Sequence, residues 1–552
     1  MHKRLRAGAL CGLLLIAAAS EGAVRDAASI ERWRQDLAFF RQELPRRHIN
    51  PFHDLSRSEF ESMVADLDRR IPDLRDDEIV VGLARIVAHL GPRDGHSRVN
   101  LFNAALRFHA LPLNFYWYAD GLFVRAASTD YADLAGVRVV SIGGTPVAEA
   151  MKRIEDITAA DNAMTKKAWA PELLSLREVL DALRIAPGEG SASVLLEVES
   201  PEGQRSQRTI VPVESLDKVE WVDVRRKAAS PALYLRWAAL DPFDHHGPQK
   251  NFWFEYLPDP HLLYVNFSSV ADAPDETVAA FFDRVFAFAD KNRVDKFVLD
   301  IRNNGGGNNY LNRPIVHGLI ARASTIARPG TFFCIIGRET FSAAQNLANL
   351  VSEQTGAILV GEPTGGSPNH FGDSLRMLLP NSKVPIQLVS VWWQDLDPRD
   401  FRPWLAPAVA AELTSSDDRN GRDPAFDAIL HYAPEVPLGE QLRAAITKGG
   451  TDEAARVLAS WRSEPRHKFL TGEDEVNRLG AALFGEKKQA EAVAMFEMNA
   501  TANPESWQAQ NNAGRAYAAA GRKAEAREAF ARALRIRPNA PQTLAALDQL
   551  GR

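Results

Sequence analysis

The chain has 552 residues, of which 45% are apolar and 25% are charged. At about 100–200 residues per domain, this length exceeds what one hydrophobic core organises, so we expect several domains. The balance of 71 acidic against 65 basic side chains leaves a net charge of −6. That balance argues against nucleic acid or an anionic membrane surface as the partner.

The first 23 residues comprise a basic stretch, an apolar run over 7–19 and then small residues. This order is typical of a secretory signal peptide, and the run is shorter than the roughly 20 residues of a membrane-spanning helix. We therefore expect cleavage of residues 1–23, a periplasmic or secreted protein, and no integral membrane span after cleavage. Cys11 would leave with the signal, so Cys334 would remain alone and no internal disulfide would form.

Two regions of different periodicity follow the signal. Apolar residues recur at helical spacing over residues 29–90, and we predict an N-terminal helical domain over 24–105. Residues 106–230 alternate as strands do, with hairpins predicted at Ala-Asp-Gly 119–121 and Pro-Glu-Gly 201–203.

One segment of the strand-rich region resembles the core of a PDZ domain. Residues 135–151, AGVRVVSIGGTPVAEAM, fit a strand, a Gly-Gly turn and a helix. A PDZ-like domain would bind an extended peptide end by adding a strand to a sheet edge. The alternative is an ordinary strand–turn–helix unit without a peptide site.

Apolar strands alternate with helices over residues 231–437, which predicts an α/β domain around a largely buried sheet. Cys334 lies in the apolar stretch TFFCIIG, and we interpret it as a buried small hydrophobic residue.

The C-terminal region, residues 438–552, repeats itself. Four residue types recur 34 positions apart: Gly480 and Gly514, Ala492 and Ala526, Phe496 and Phe530, Pro504 and Pro538. That period predicts helix pairs of the tetratricopeptide type. Residues 440–461 fit a further helix pair that would stack on them. The repeats would either bind a protein partner or only cap the fold.

The densest chemical signal is VLDIRNNGGGNN, residues 298–309. A run of three glycines suits a tight turn that points backbone N–H groups at a ligand. The loop lacks the Lys-Ser/Thr of a phosphate-binding P-loop. It is either an oxyanion hole or a flexible connection.

Ser342 lies between a predicted strand and a predicted helix in ETFSAAQNL. A serine there has its hydroxyl at a helix N-terminus, where N–H groups and the dipole favour negative charge. Such a residue is either a nucleophile or a helix cap.

Together, VLDIRNNGGGNN, ETFSAAQNLANL and AILVGEPTGG resemble the C-terminal processing (tail-specific) peptidase and tricorn core-protease family, over roughly residues 30–435. The resemblance implies an α+β multidomain chain with a ClpP/crotonase-like α/β catalytic core and serine peptidase chemistry. Ser342 would be the nucleophile. The N–H groups of Ala343 and Gly306, or Gly305 in its place, would form the oxyanion hole.

The family lysine is missing. Tail-specific members place it three residues beyond the threonine that corresponds to Thr364, and this chain has Ser367 there. A serine cannot act as that base. Tricorn-like members use a histidine ahead of the core, which matches His96 in DGHS. His370 is the rival base, with Asp373 close by as an orienting acid.

The family also uses an acidic residue to orient the histidine. Asp395, Asp397 and Asp400 lie in the corresponding segment, and Asp400 is our choice by position. Asp423, in contrast, is expected to cap the following helix. No metal-ligand motif and no dinucleotide fingerprint occurs in the sequence, so we expect neither a metal nor a cofactor.

The sequence therefore predicts an exported serine peptidase that acts on peptides or protein tails, with Ser342 and a histidine as the working pair. The alternative is a catalytically silent relative that binds peptides through its PDZ-like and repeat domains. Hydrolysis of a non-peptide ester or amide by the same residues is a third reading.

Overall fold

A computed structural model of the chain describes residues 25–228, 231–237 and 250–551. The predicted signal peptide lies outside the described residues, as does residue 230, where we predicted the strand-rich region to end. None of the described helices combines the length and the apolar character that crossing a membrane requires.

Three helices and a short strand open the described chain. The second helix begins with a capping box, since the Ser56 hydroxyl accepts the N–H of Glu59 and the Glu59 carboxylate accepts the N–H of Ser56. Apolar residues at helical spacing, among them Leu37, Phe40 and Leu44, are buried. The elements are α1 (Ala27–Arg47), α2 (Arg57–Arg70), α3 (Asp76–Ala88) and β1 (Arg98–Val99).

An antiparallel sheet in the order β2-β3-β4-β6-β7 follows, with three helices and two short strands attached. Both predicted hairpins are confirmed, one joining β2 to β3 and the other β6 to β7. The elements are β2 (Leu113–Tyr118), β3 (Gly121–Ser128), β4 (Arg138–Ile142), β5 (Thr145–Pro146), α4 (Val147–Glu155), α5 (Ala163–Leu173), α6 (Arg177–Ala182), β6 (Val194–Glu199), β7 (Arg205–Ile210) and β8 (Trp221–Asp223).

The N-terminal helices and this strand-rich insert share one hydrophobic core. Phe40 of α1 and Ile79 of α3 belong to the same buried cluster as Val124 of β3 and Leu196 of β6. The loop between α3 and β1, which carries His96, is therefore held on both sides by a single packed unit.

The α/β region that follows is built on a six-stranded sheet in the order β16-β13-β12-β11-β10-β9. All neighbours are parallel except β9 and β10, which are antiparallel. The elements are β9 (Phe252–Leu257), β10 (Leu262–Phe267), α7 (Val278–Lys291), β11 (Lys296–Asp300), α8 (Arg313–Ile320), β12 (Phe332–Ile336), α9 (Ala343–Gln354), β13 (Ile358–Gly361), β14 (Asn369–Leu378), β15 (Pro385–Gln394), β16 (Val409–Ala410), α10 (Ser415–Asn420) and α11 (Pro424–Leu430).

The continuous apolar runs of these strands follow from burial on both faces of the sheet. Along β12, Phe332, Cys334 and Ile336 pack into one cluster, while Phe333 and Ile335 pack into a second cluster on the other face. Cys334 is fully buried, as predicted, and burial raises the pKa of its thiol.

A third sheet, in the order β1-β15-β14, joins the first part of the chain to the α/β region. Val99 of β1 pairs with Ile386 of β15, and Trp393 of β15 pairs with His370 of β14. This sheet brings the segment after His96 beside the strand that carries His370.

The C-terminal region is entirely helical, as predicted. Non-helical backbone at Gly449 and Gly450 divides the first helix into the expected pair. A Cβ placed on Gly480 would lie 2.8 Å from Phe496, and one on Gly514 would lie 2.6 Å from Phe530. The 34-residue period thus repeats one glycine–phenylalanine contact. The helices are α12 (Leu438–Ser463), α13 (Glu473–Gly485), α14 (Gln489–Ala502), α15 (Trp507–Ala519), α16 (Lys523–Ile536) and α17 (Pro541–Gly551).

We expect Gly514→Ala to lower the stability of the repeat region by about 1–3 kcal/mol, because the added methyl group overpacks against Phe530. The clash should outweigh the roughly 1 kcal/mol that alanine gains over glycine inside a helix. Gly439→Ala in α12 is the control, since nothing lies within 4 Å of a Cβ there. Scanning calorimetry of the full chain measures both, and equal transition temperatures for the two variants would contradict the packing argument.

Candidate active site

Ser342 occupies a strained turn between β12 and α9. Its backbone has φ 55° and ψ −127°, a left-handed conformation that residues with a side chain rarely adopt. Its side chain accepts no N–H of the first turn of α9, so the helix-cap alternative is wrong. The residue is half-buried. A half-exposed serine on a sharp strand-to-helix turn has the geometry of a nucleophile elbow.

Asn304, in the glycine-rich loop, holds this turn in place. Its backbone carbonyl accepts the N–H of Phe341 at 3.1 Å, and its side-chain amide donates to the carbonyl of Phe267 at 2.8 Å. Asn312 donates to the carbonyl of Ala343 at 2.8 Å. A backbone conformation such as that of Ser342 costs about 1–3 kcal/mol and persists only when its surroundings determine it. The hydrogen bonds of Asn304 and Asn312 hold Ser342 in this conformation.

The glycine-rich loop lies directly against the Ser342 turn. Gly306 has φ 105°, and a Cβ there would lie 2.7 Å from the Cβ of Ser342 and 2.8 Å from the N of Ala343. The N–H of Gly306 donates to the side-chain oxygen of Asn304 at 2.9 Å. Within the described residues, the N–H groups of Ala343 and Gly305 have no acceptor. The second open donor is therefore on Gly305, the neighbouring option, and not on Gly306.

Both candidate bases lie beside this turn, in one stack of rings. The His96 ring stacks on Phe341, with centroids 4.5 Å apart, and on His370, with centroids 5.9 Å apart. Burial, together with the neighbouring His370 and Arg98, lowers the pKa of His96 to about 3. Burial also lowers the pKa of His370 to about 4. Both imidazoles are consequently neutral near pH 7 and able to accept a proton.

The two histidines differ in their partners. Nδ1 of His370 lies 3.0 Å from the carbonyl oxygen of Ser367, which defines it as the protonated nitrogen of a neutral ring. Nδ1 of His96 is buried without a hydrogen-bond partner. In the part of the chain that the structure describes, neither histidine is hydrogen-bonded to Ser342, and no carboxylate contacts His96.

The candidate orienting acids are engaged elsewhere. Asp400 is paired with Arg402 at 2.6 Å, and Asp397 is paired with Arg399 at the same distance. Asp395 accepts a hydrogen bond from Asn346, one turn beyond Ser342 in α9. The prediction that Asp400 orients a histidine therefore finds no contact in this structure, since the neighbouring guanidinium holds its carboxylate.

The structure also places Asp423 and Asp373, the two other acids considered in the sequence. Asp423 caps α11, as predicted, and accepts the N–H groups of Ala425 and Phe426. The same carboxylate binds Arg302 through two hydrogen bonds of 2.8 Å. Asp373, the proposed partner of His370, has a positive φ of 51° within β14, and its carbonyl accepts the hydroxyl of Ser390.

Asp161 of the insert joins the segments around the histidines. Its buried carboxylate accepts the N–H of Gly95 at 2.8 Å and that of Ser367 at 3.0 Å. The Ser367 hydroxyl donates to the carbonyl of Pro403 at 2.7 Å. The position of the family lysine thus carries a serine with a structural role. Asp161 belongs to no catalytic motif, and its one local signal is the helix cap Asn162 that follows it.

The C-terminal repeats reach the same region. Arg537 lies 3.6 Å from the centroid of the Phe401 ring, and Arg93 lies 4.9 Å from it. Trp507 packs edge-on against Phe401, with centroids 6.3 Å apart. Phe401 follows Asp400 directly. The segment of the candidate acids is therefore packed between the repeats and the loop that carries His96.

One group of metal-ligand residue types occurs among the described residues, and it lies outside the Ser342 turn. Glu435, Glu464 and His467 have ligand atoms within 4.8 Å of one another. Both ring nitrogens of His467 are already engaged, one with the carbonyl of Trp461 at 2.8 Å and the other with Glu435 at 2.9 Å. The two ring nitrogens of His467 therefore stabilise the junction with the repeats.

Known proteins match two parts of the chain. A tetratricopeptide repeat model matches residues 507–540. A mutant form of CPAF is similar in structure at a TM-score of 0.50 and 11% identity, over 74% of this chain and 100% of that chain. The chain has the fold of CPAF.

Two further solved structures are similar at lower scores. Mature CPAF complexed with lactacystin has a TM-score of 0.49 at 11% identity, over 73% of this chain and 97% of that chain. The photosystem II D1 C-terminal processing protease has a TM-score of 0.34 at 15% identity, over 71% and 97%. No curated protein matches the sequence. The α+β class with helical C-terminal repeats is confirmed, and the fold shared with CPAF is that of the peptidase family which the motifs resemble.

The positive φ of Ser342 predicts that glycine at this position is more stabilising than alanine, the reverse of the order inside a helix. The free energy of unfolding of Ser342→Gly should exceed that of Ser342→Ala by about 1 kcal/mol, because glycine adopts the positive φ without strain. At Ser352, inside α9, the order should reverse by about 1 kcal/mol in favour of alanine. Chemical denaturation of the four variants checks this. The same order at both positions would show that the turn carries no strain.

The raised pKa of the Asp161 carboxyl group predicts that the free energy of unfolding falls as the pH rises. Burial raises its pKa to about 7, against the opposing hydrogen bonds from Ser367 and Gly95. Between its ordinary pKa of 3.8 and about 7, the folded state binds more protons than the unfolded state. Stability should therefore fall with rising pH, by up to about 1.4 kcal/mol per unit, and level off above the folded pKa.

Denaturation of wild type and of Asp161→Asn between pH 5 and pH 8 measures this effect, which the variant should lack. Asp397→Asn is the matched control. Its partner Arg399 lowers the pKa of Asp397 to about 2, so this group does not titrate in the same window. Equal slopes in wild type and Asp161→Asn would contradict the assignment.

Proposed function

We propose that the chain is an exported serine peptidase that hydrolyses peptide bonds of peptides or protein tails. The observation that carries the proposal is the conformation of Ser342. A strained serine that caps no helix, beside a glycine loop with open N–H groups, is costly without a catalytic use. Export rests on the basic and apolar segment of residues 1–23.

In the proposed reaction, the Ser342 hydroxyl attacks the scissile carbonyl carbon while His96 accepts its proton. The negative charge on the carbonyl oxygen meets the N–H of Ala343, the N–H of Gly305 and the positive end of α9. His96 then returns the proton to the leaving amine, and an acyl-enzyme on Ser342 remains. Water hydrolyses this ester with His96 again as the base, which restores the free serine.

Two contacts favour His96 over His370 as the base. The His96 ring packs directly on Phe341, the residue before Ser342, whereas His370 lies on the far side of His96. His370 is fully buried, and its Nδ1 is held by Ser367. We assign His370 the role of supporting the His96 ring.

A second candidate function is a catalytically silent peptide-binding protein. The buried Nδ1 of His96 has no partner, and Asp400 pairs with Arg402, so no acid of the described chain orients the base. In this reading the insert and the tetratricopeptide helices bind peptide or protein. A protein partner for the repeats is also compatible with the peptidase proposal.

Labelling by a fluorophosphonate probe tests the proposal, because the probe reacts only with an activated serine. Wild type should label and Ser342→Ala should not. His96→Ala should label at least about 100-fold more slowly, the usual contribution of a general base. His370→Ala should retain labelling within about tenfold. His317→Ala, at an exposed position of α8, is the control for a lost histidine.

Two outcomes would decide against this assignment. Labelling that survives His96→Ala but not His370→Ala would make His370 the base. A folded wild type that never labels would favour the silent binder. Circular dichroism spectra of all variants keep loss of the base apart from loss of the fold.

A further inference from the structure

A cavity of about 320 Å³ lies between the strand-rich insert and the six-stranded sheet. Its floor comes from residues at the carboxyl ends of four neighbouring strands: Ser268 after β10, Asn303 after β11, Gly337 after β12 and Glu362 after β13. Ligands of open parallel sheets bind outside the carboxyl ends of the strands, and ligand pockets favour domain interfaces. The position therefore favours a ligand.

The cavity borders the Ser342 turn. Glu339, in its lining, is three residues ahead of Ser342 on the same connection. The opposite wall includes Glu172 of α5, and Trp169 of the same helix packs edge-on against Phe341 at 4.9 Å. The two elements that flank the nucleophile turn thus also form walls of the cavity. A peptide lying across the turn could place one side chain inside it.

Most charged groups of the lining are paired with one another. Arg302 binds Asp423 through two hydrogen bonds of 2.8 Å. Arg338 binds Glu362 through two hydrogen bonds of 2.8 and 2.6 Å. Arg225 binds Asp223 behind the wall in the same way. These pairs are structural and leave no charge for a ligand.

Three charged side chains of the lining remain open. The carboxylates of Glu172 and Glu339 have no hydrogen bond or ion pair to any described residue. The guanidinium of Arg125 donates through Nε to Asn114 at 3.1 Å and lies over the Tyr116 ring at 4.3 Å, which leaves its terminal nitrogens without an acceptor. Asp418, the remaining charged residue of the lining, accepts the hydroxyls of Tyr118 and Tyr234. The open groups are therefore two carboxylates and one guanidinium.

The two open carboxylates disfavour each other's charge. Burial and the nearby Glu339 raise the pKa of Glu172 to about 7, against the opposing charge of Arg125. A cation between the two carboxylates would remove this repulsion. An anion would meet both of them, and an apolar group would leave them desolvated and unpaired.

We propose that this cavity is a subsite for a basic side chain of the peptide substrate, bound by Glu172 and Glu339. The inference rests on the proposed peptidase function and adds a preference for substrates with arginine or lysine. Arginine fits better than lysine, because a planar guanidinium can bridge two carboxylates and stack on an aromatic ring such as Tyr116. Glu172 and Glu339 are specificity residues and take no part in the chemistry.

Binding to the Ser342→Ala protein tests the subsite without substrate turnover. The probes are fluorescein-labelled decapeptides of alanine and serine that carry one arginine at successive positions, each with a twin that has citrulline instead. Citrulline keeps the shape and removes the charge. At one register we expect the arginine peptide to bind about tenfold or more tightly than its twin, as a charged hydrogen bond predicts. Equal affinities at every register would overturn the inference.

Variants assign the effect to the cavity. Glu172→Gln or Glu339→Gln, placed in the Ser342→Ala protein, should abolish the difference between arginine and citrulline. Glu189→Gln, at an exposed position of the insert without charged partners among the described residues, should preserve it. Glu172→Arg should reverse it, so that a glutamate peptide binds more tightly than the arginine peptide. An arginine preference that survives both glutamine variants would place the site elsewhere.

Hydrolysis of the same peptides by the Ser342-containing chain separates the two proposals. Cleavage with equal kcat/KM for arginine and citrulline peptides would overturn the subsite and leave the peptidase. Selective binding of arginine peptides without cleavage or fluorophosphonate labelling would overturn the peptidase and leave a cation-binding cavity.

Discussion

The left-handed backbone of Ser342 is the constraint around which the α/β region is arranged. The connection after β12 adopts this conformation because the connection after β11 holds it, through Asn304 and a glycine that no other residue could replace at Gly306. In this conformation the Ser342 hydroxyl makes no cap hydrogen bond to α9. As a consequence, an accessible serine lies at the N-terminus of α9 beside open N–H groups. This arrangement requires the neighbouring parallel strands β11 and β12 to end side by side.

The two histidines, His96 and His370, depend on contacts from outside the six-stranded sheet. Asp161 of the insert fixes Gly95, next to His96, and also Ser367, whose carbonyl orients His370. Phe401 extends this arrangement to the repeats through Arg537. The insert and the repeats are therefore more than appended modules, because a shift of either one would move the segments beside the Ser342 turn.

The sequence was informative wherever structure follows from local periodicity. The continuous apolar run of β12, the two hairpins and the 34-residue period of the C-terminal helices could all be predicted, since each depends on residues that are close in the chain. Asp161, Phe401 and the cavity could not, because their contacts join segments that are far apart and leave no periodic signal. The contact of Asp400 is local: its carboxylate pairs with Arg402, two residues later, and not with a histidine.

The electrostatics of the ring stack limit how the site could use a histidine. The two imidazoles have centroids 5.9 Å apart, with His370 fully buried and His96 half-buried, and burial lowers the pKa of each. An imidazolium at His96 would therefore be stable only while a negative charge stands close by. The charge that develops on a bound carbonyl oxygen is such a partner, whereas an empty site provides none. A base of this kind is weak in the free protein and gains strength as the reaction proceeds, so proton transfer from Ser342 would be tied to an occupied site.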